Sequence, residues 1–297
     1  MKIAFVNGST GLVGQHLIEY LCHQGIQVFA LNRSPADSII KDKWSILGVT
    51  EIVLELADYD QLADILACRK YTSIGRSVFY HTAWSGTKSL TDGGIEKQME
   101  NVKLAAKVLT AAKAIGCGTF VNVGSSQEVF LEEDLLMPCD ISQSDYAIAK
   151  IAARDICRML GYLNKIDVVH TTLSVPIDPS LARGGFIAKM LSRILEGRSV
   201  DIIKNKQLFD LILLPDLSRA LYLIGCNAKN RSDYYIGNGR FKTLQKHFDD
   251  FKAMKVDNNG SDTDAPPSDR LNVRKIKKDL GFQAQIDLLS LYEGVKE

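Results

Sequence analysis

The stretch Ile3-Ala4-Phe5-Val6-Asn7-Gly8-Ser9-Thr10-Gly11-Leu12-Val13-Gly14 decides the fold. Its opening four residues form a short apolar run, as a buried parallel strand does. Glycines follow at 8, 11 and 14, and Gln15-His16-Leu17-Ile18-Glu19-Tyr20-Leu21 then has the apolar spacing of a helix. A strand, a glycine-rich turn and a helix together make a phosphate cradle. Glycine lets the backbone turn tightly and come close to a pyrophosphate, and the helix N-terminus offers free amide donors. The spacing is G-x-x-G-x-x-G, which makes Gly8, Thr10, Gly11, Leu12, Val13 and Gly14 the candidate dinucleotide contacts.

Working outward, residues 27–31 predict a second strand that ends in Asn32-Arg33-Ser34. An acid at this place binds the adenosine ribose hydroxyls of NAD. Here Asn32 is neutral and Arg33 cationic, a pair suited to a 2′-phosphate, so NADP is expected to be preferred over NAD. Residues 51–56 predict a third strand. Asp58 after it reads as a helix cap or an adenine contact. A fourth strand, 77–81, runs into Thr82-Ala83-Trp84-Ser85-Gly86. Thr82 and Ala83 are small enough to let a cofactor pass, Trp84 lines the substrate cleft or packs the loop, and His81 reads as a structural strand-end residue.

A long helix is expected within 93–115, with Asn101 as a polar intrusion, and a fifth strand at 119–123 opens into Gly124-Ser125-Ser126-Gln127-Glu128. A connector containing Pro138 leads to Ser144-Asp145-Tyr146-Ala147-Ile148-Ala149-Lys150 on a helix that reaches about residue 160, and 165–170 is a sixth strand. Strict alternation of strand and helix predicts a doubly wound parallel sheet. After residue 173 the pattern loosens. It reads as a loop at 174–179, a helix through Ile187 and Ile194, a strand at 208–214, a helix from Pro215, a short strand at 234–237, a helix at 244–251, a mobile polar loop at 256–269 and a last helix at 271–280.

Tyr146 and Lys150 lie one helical turn apart, so phenol and ammonium share a face. Free tyrosine titrates near 10, and a neighbouring cation favours its phenolate.

The glycine triplet, the Ser126 region, the Tyr146/Lys150 pair and the Asp216 and Arg270 stretches, in this order, resemble an extended short-chain dehydrogenase/reductase. The chain is most similar to the nucleotide-sugar epimerase/dehydratase group, and within it to ketoreductase-like members. The resemblance implies a Rossmann α/β domain over 1–172 and a smaller C-terminal α/β substrate-binding region over 173–297, some of which packs back on the sheet. It also implies a Ser126-Tyr146-Lys150 site for hydride and proton transfer, with Lys150 holding the nicotinamide ribose and Pro176 beside the cofactor. Trp84, Ser125, Gln127, Glu128 and Arg270 would face a sugar nucleotide. Dehydratases of the group follow the serine or threonine with Asp then Glu. Here Gln127 replaces the acid, which disfavours dehydration, and Glu128 reads as either a base or a structural carboxylate. Phe209-Asp210 stands where many members have an arginine before aspartate, so one diphosphate clamp is missing and Arg270 remains. Arg183, Lys189 and Lys204 read as exposed charges. Relatives often form homodimers through the long helices. The rival reading is a non-catalytic NADP sensor or partner-binding module on the same fold.

The bulk composition bounds the rest. The 297 residues are 46% hydrophobic and 24% charged with a net charge of +1, so no basic excess draws nucleic acid or a membrane. The six cysteines are scattered without C-x-x-C spacing, and no metal site is expected. No apolar run approaches a membrane span of roughly 18 residues, and a cytoplasmic location is expected.

Overall fold

The computed structural model describes residues 1–69, 77–86, 94–136, 144–253 and 265–288. In chain order these form β1 (Ile3–Asn7), α1 (Leu12–His23), β2 (Gln27–Asn32), α2 (Ser38–Leu47), β3 (Thr50–Val53), a 3₁₀ turn (Leu56–Gln61), α3 (Leu62–Cys68), β4 (Ser77–His81), α4 (Gly94–Ala114), β5 (Thr119–Val123), α5 (Ser126–Glu132) and α6 (Ser144–Asn164). Then come β6 (Asp167–Leu173), β7 (Val175–Ile177), α7 (Phe186–Leu195), β8 (Leu208–Phe209), β9 (Leu211–Leu213), α8 (Leu214–Asn227), β10 (Asp233–Ile236), β11 (Lys242–Thr243), α9 (Leu244–Ala253) and α10 (Arg274–Leu280). The expected connector around Pro138 and most of the expected loop at 256–269 lie outside the described residues.

Seven strands form one sheet in the order β10-β6-β5-β4-β1-β2-β3, and every pairing in it is parallel. This is the doubly wound Rossmann arrangement that the alternation predicts. The order reverses between β1 and β4, and the crevice at such a switch point is where open α/β sheets bind ligands. The later part of the chain contributes β10 to this sheet, and pairs β7 with β9 in a ribbon of its own.

Successive side chains on a strand point to opposite faces, and β1 shows the consequence. Ala4 and Val6 join Leu17, Leu21, Leu217 and Leu221 in a core beneath α1 and α8. Ile3 and Phe5 join Val102, Leu109, Ala149 and Ala153 in a second core beneath α4 and α6. On that face Phe5 stacks on Phe29 with ring centroids 4.9 Å apart, and Phe79 on Phe120 at 5.8 Å. Burying each such ring contributes roughly 1.5–3 kcal/mol, so the strands are held on both sides.

Several local expectations change. The third strand ends at Val53, because Leu56 enters the 3₁₀ turn. The strand expected at 208–214 is broken at Asp210. That residue buries its carboxylate to accept from the Tyr235 hydroxyl at 2.9 Å, Gly239 N at 2.8 Å and Arg240 N at 3.3 Å; Leu214 already belongs to α8, with Pro215 in its first turn. Part of the expected 174–179 loop is β7, and α5 fills a stretch where no helix is expected.

Candidate active site

The glycine turn closes the C-terminal end of β1. Gly8 has φ of +66°, and a Cβ there would lie 2.7 Å from Ala83 N. A Cβ on Gly14 would lie 2.3 Å from the Gly8 carbonyl oxygen. Only glycine permits this left-handed turn against the β4 end. Gly11 caps α1 without a side-chain hydrogen bond, and the first turn of α1 has no acid, which leaves amide donors free for an anion. The residues at 8–14 therefore fit the pyrophosphate of a nicotinamide dinucleotide.

Asn7 ties the turn to β4. Its Oδ1 accepts from Thr82 N at 3.0 Å and Ala83 N at 3.2 Å, and its carbonyl accepts from the Thr82 hydroxyl at 2.5 Å. With Oδ1 so engaged, Asn7 Nδ2 is the donor to His81 Nδ1 at 2.9 Å, which assigns the neutral tautomer with hydrogen on Nε2. Burial, helped by the Lys150 charge, pushes His81 down to about 3. It is a neutral structural residue, as its strand-end position suggests.

Tyr146 and Lys150 stand in the first two turns of α6. The Lys150 ammonium is buried, donates to the Val123 carbonyl at 2.9 Å, and lies 3.8 Å from the centre of the Trp84 ring. Trp84 meets the Tyr146 ring edge-on at 6.1 Å. Burial pushes the lysine down to about 8, with Glu128 opposing it. Burial likewise pushes the Tyr146 phenol up to about 12, while a hydrogen bond from Ser125 pulls it down and the Glu128 charge adds to the rise. In the protein alone, then, burial outweighs the Ser125 hydrogen bond and holds the phenol protonated.

The two serines differ in their contacts. Ser125 is the N-cap of α5 and touches the phenol; its hydroxyl also accepts from Gln127 N at 3.3 Å. Ser126 is the first residue of α5 and is 9% exposed. Glu128 completes a capping box by accepting from Ser125 N at 2.8 Å, and its other oxygen accepts from His170 Nε2 at 2.8 Å. Burial raises the Glu128 carboxyl, but His170 and Lys150 outweigh it and hold it below the usual carboxylate range. Gly124 makes room for this pair, since a Cβ there would lie 2.3 Å from Glu128 Oε1. Glu128 is thus a buried carboxylate with a partner on each oxygen. Gln127 beside it keeps one buried amide oxygen without a partner.

The polar intrusion in α4 holds the loop that carries Trp84. Asn101 Oδ1 accepts from Ser85 N at 3.1 Å and from its hydroxyl at 3.0 Å, and Gln98 Oε1 accepts from the indole N–H at 2.8 Å. Trp84 therefore both packs its loop and walls the Tyr146/Lys150 site.

The remaining candidates are more scattered. Asn32 accepts a hydrogen bond from the Ser9 hydroxyl and donates to Glu51 Oε1 at 3.0 Å. The acid missing from the end of β2 thus reaches it from β3, which the sequence reading did not find. Arg33 is exposed. Asp58 is exposed within the 3₁₀ turn, and α3 has Gln61 as its N-cap. Pro176 is half-buried in β7 opposite Ile212. Arg270 pairs with Glu132 at 2.7 Å, and Arg154 grips the same carboxylate at 2.8 and 3.0 Å. Among the described residues no cluster has the makings of a metal site, and no helix is long and apolar enough to cross a membrane.

The NAD dependent epimerase/dehydratase family model matches residues 4–237. The chain belongs to this family. Its fold is similar to that of a UDP-glucose 4-epimerase from Thermotoga maritima solved with UDP-glucose, at TM-score 0.74 and 17% identity over 99% of this chain and 100% of that one. A double mutant of DesIV, a dTDP-glucose 4,6-dehydratase from Streptomyces venezuelae solved with NAD, matches at TM-score 0.77 and 19% identity over 100% and 96%. WbmG from Bordetella bronchiseptica in complex with NAD matches at 0.71 and 18% over 98% and 92%.

Proposed function

We propose that the protein is an NADP-preferring oxidoreductase that acts on a sugar nucleotide, reducing a keto group or epimerising a carbinol through one. The observation that carries this reading is the pairing of half-buried Tyr146 with buried Lys150 against Trp84, at the sheet end that also bears the glycine turn. A nicotinamide cofactor, when bound, supplies the hydride chemistry. Residues 8–14 hold its pyrophosphate, Thr82, Ala83 and Pro176 line its path, and Lys150 holds its ribose. Tyr146 exchanges a proton with the substrate oxygen, and Ser125 or Ser126 donates a hydrogen bond to that oxygen as charge develops on it. Lys150, cationic at neutral pH beside the phenol, lowers the cost of the phenolate.

Dehydration is disfavoured by two side chains. Gln127 has no acidic proton to give a leaving hydroxyl, and Glu128 is engaged with His170 and Ser125. Residues 173–297 form the substrate-binding region, where Arg270 would exchange Glu132 for a substrate diphosphate. The outer faces of α4 and α6 expose Ile95, Met99, Ile148, Met159 and Leu163, which supports a homodimer built on these helices.

The test is a screen of nucleotide sugars and their keto forms against the purified protein with NADPH or NADH, following absorbance at 340 nm and the sugar products. Stoichiometric loss of NADPH marks a reductase. An epimerised sugar with no net change in cofactor marks an epimerase. A 4-keto-6-deoxy product would overturn the reading of Gln127 and Glu128.

A further inference from the structure

Arg183 is an exposed charge, as expected, but it is not free. It stands in the loop between β7 and α7, yet its guanidinium reaches the glycine turn. There it donates to the Thr10 carbonyl at 3.0 Å and to Gln15 Oε1 on α1. A second contact holds the same loop to the same helix, with His16 Nε2 at 3.7 Å from Asp178 Oδ2. A guanidinium has five N–H donors in a rigid fork. Two bonds to α1 and its turn fix the plane of the fork and leave donors for another acceptor.

The cleft beside it has a volume of about 500 Å³ and is lined by Thr10, Gln15, Ser34, Asp37 and Ile40 together with Arg183. This is the end of β2, where dinucleotide folds place the adenosine ribose. The carboxylates nearby are already engaged. Asp37 caps α2 by accepting from Ile40 N at 2.9 Å, and Glu51 Oε1 accepts from Asn32 Nδ2 at 3.0 Å and Ala36 N at 2.7 Å. Arg33 is exposed one residue before Ser34. The cleft therefore brings together a guanidinium oriented by α1 and two hydroxyl residues, with Arg33 next to one of them in sequence, a set suited to a phosphate dianion.

We infer that Arg183 binds the 2′-phosphate of NADP, reaching across from the substrate-binding region to the adenosine end of the cofactor site. The inference rests on the proposed NADP preference and deepens it. Both arginines are exposed, but Arg183 is held in place by Thr10 and Gln15. Because Arg183 belongs to the loop that leads into α7, bound NADP also fastens that loop to the glycine turn.

The experiment is titration of NADPH and of NADH into the full-length wild type, Arg183→Ala and Arg183→Lys, read by calorimetry. One charge-assisted contact corresponds to a loss of roughly 10-fold. NADPH is expected to bind about that much more weakly to Arg183→Ala, NADH within about twofold of wild type, and Arg183→Lys between the two for NADPH. Undiminished NADH binding also shows that the variant is folded. Equal loss of both cofactors, or no loss of NADPH, would overturn the inference. The wild-type ratio of NADPH to NADH affinity tests the underlying preference separately. If wild type favours NADH, that preference falls, and the NADPH loss in Arg183→Ala still decides the role of Arg183.

Discussion

Two asparagine–histidine pairs occupy matching places in the sheet. Asn7 on β1 lies opposite His81 on β4, and Asn122 on β5 lies opposite His170 on β6. In each pair the asparagine amide meets the histidine Nδ1, at 2.9 and 3.1 Å. Their far sides differ. His81 Nε2 is buried without a partner, so the ring stays neutral and serves as packing and as a fixed acceptor for Asn7. His170 Nε2 meets the Glu128 carboxylate, which in turn holds Ser125 N and, through the capping box, the serine that touches Tyr146. The same strand-end device anchors the glycine turn on one side and the first turn of α5 on the other. Only the second carries a buried charge, and the two should therefore fail differently.

The largest expected effect is on stability. His170→Ala leaves the Glu128 carboxylate buried without its main partner and should cost about 3–5 kcal/mol in urea unfolding. His81→Ala removes one neutral acceptor and should cost about 1–3 kcal/mol. Equal losses would break the comparison.

Glu128→Gln sharpens it on the side of activity. If the carboxylate only positions Ser125, turnover should fall less than about 10-fold, whereas loss of an acid–base group costs roughly 10²–10⁴-fold. A loss in the upper range would return Glu128 to the chemistry and reopen dehydration.

Trp84 comes next. A cation over an indole contributes roughly 0.5–2 kcal/mol, so Trp84→Ala should lower kcat about 3- to 30-fold. Trp84→Phe should recover most of it, and equal loss in both variants would show that the ring face is not what matters.

The smallest effect is on acid stability. The Arg154 hydrogen bonds, burial notwithstanding, and the Arg270 contact bring the Glu132 carboxyl down to about 2. Its folded value lies below its unfolded one, so its contribution is complete above the ordinary carboxylate range and is lost as pH falls through that range toward 2. Urea midpoints of wild type and Glu132→Gln should therefore converge as pH drops from 6 to 2. A constant gap would show that the pair contributes no pH-linked stability.

The cofactor half was legible because its signals are local. Gly8, Gly11 and Gly14 sit between a strand and a helix, and residues 77–81 and 119–123 read as the strands they form. Tyr146 and Lys150 need only helical spacing to share a face. Contacts between distant segments were not legible. Glu51 reaches Asn32 from the neighbouring strand, and Arg183 reaches Thr10 from 173 residues away. The Ser125-x-x-Glu128 pattern did announce a capped helix, so α5 and the inward turn of Glu128 had a signal that went unread. The break at Asp210 had none, because it depends on donors from residues 235–240.

The central claim is that the Tyr146 phenol carries the proton of a hydride-transfer reaction. It is tested most directly by Tyr146→Phe, comparing turnover with cofactor affinity on a nucleotide sugar that the wild type accepts. The account predicts a fall in kcat of roughly 10²–10⁴-fold, with NADPH binding and the unfolding midpoint unchanged. Turnover within a few-fold of wild type would contradict it and favour a cofactor-binding role without this chemistry.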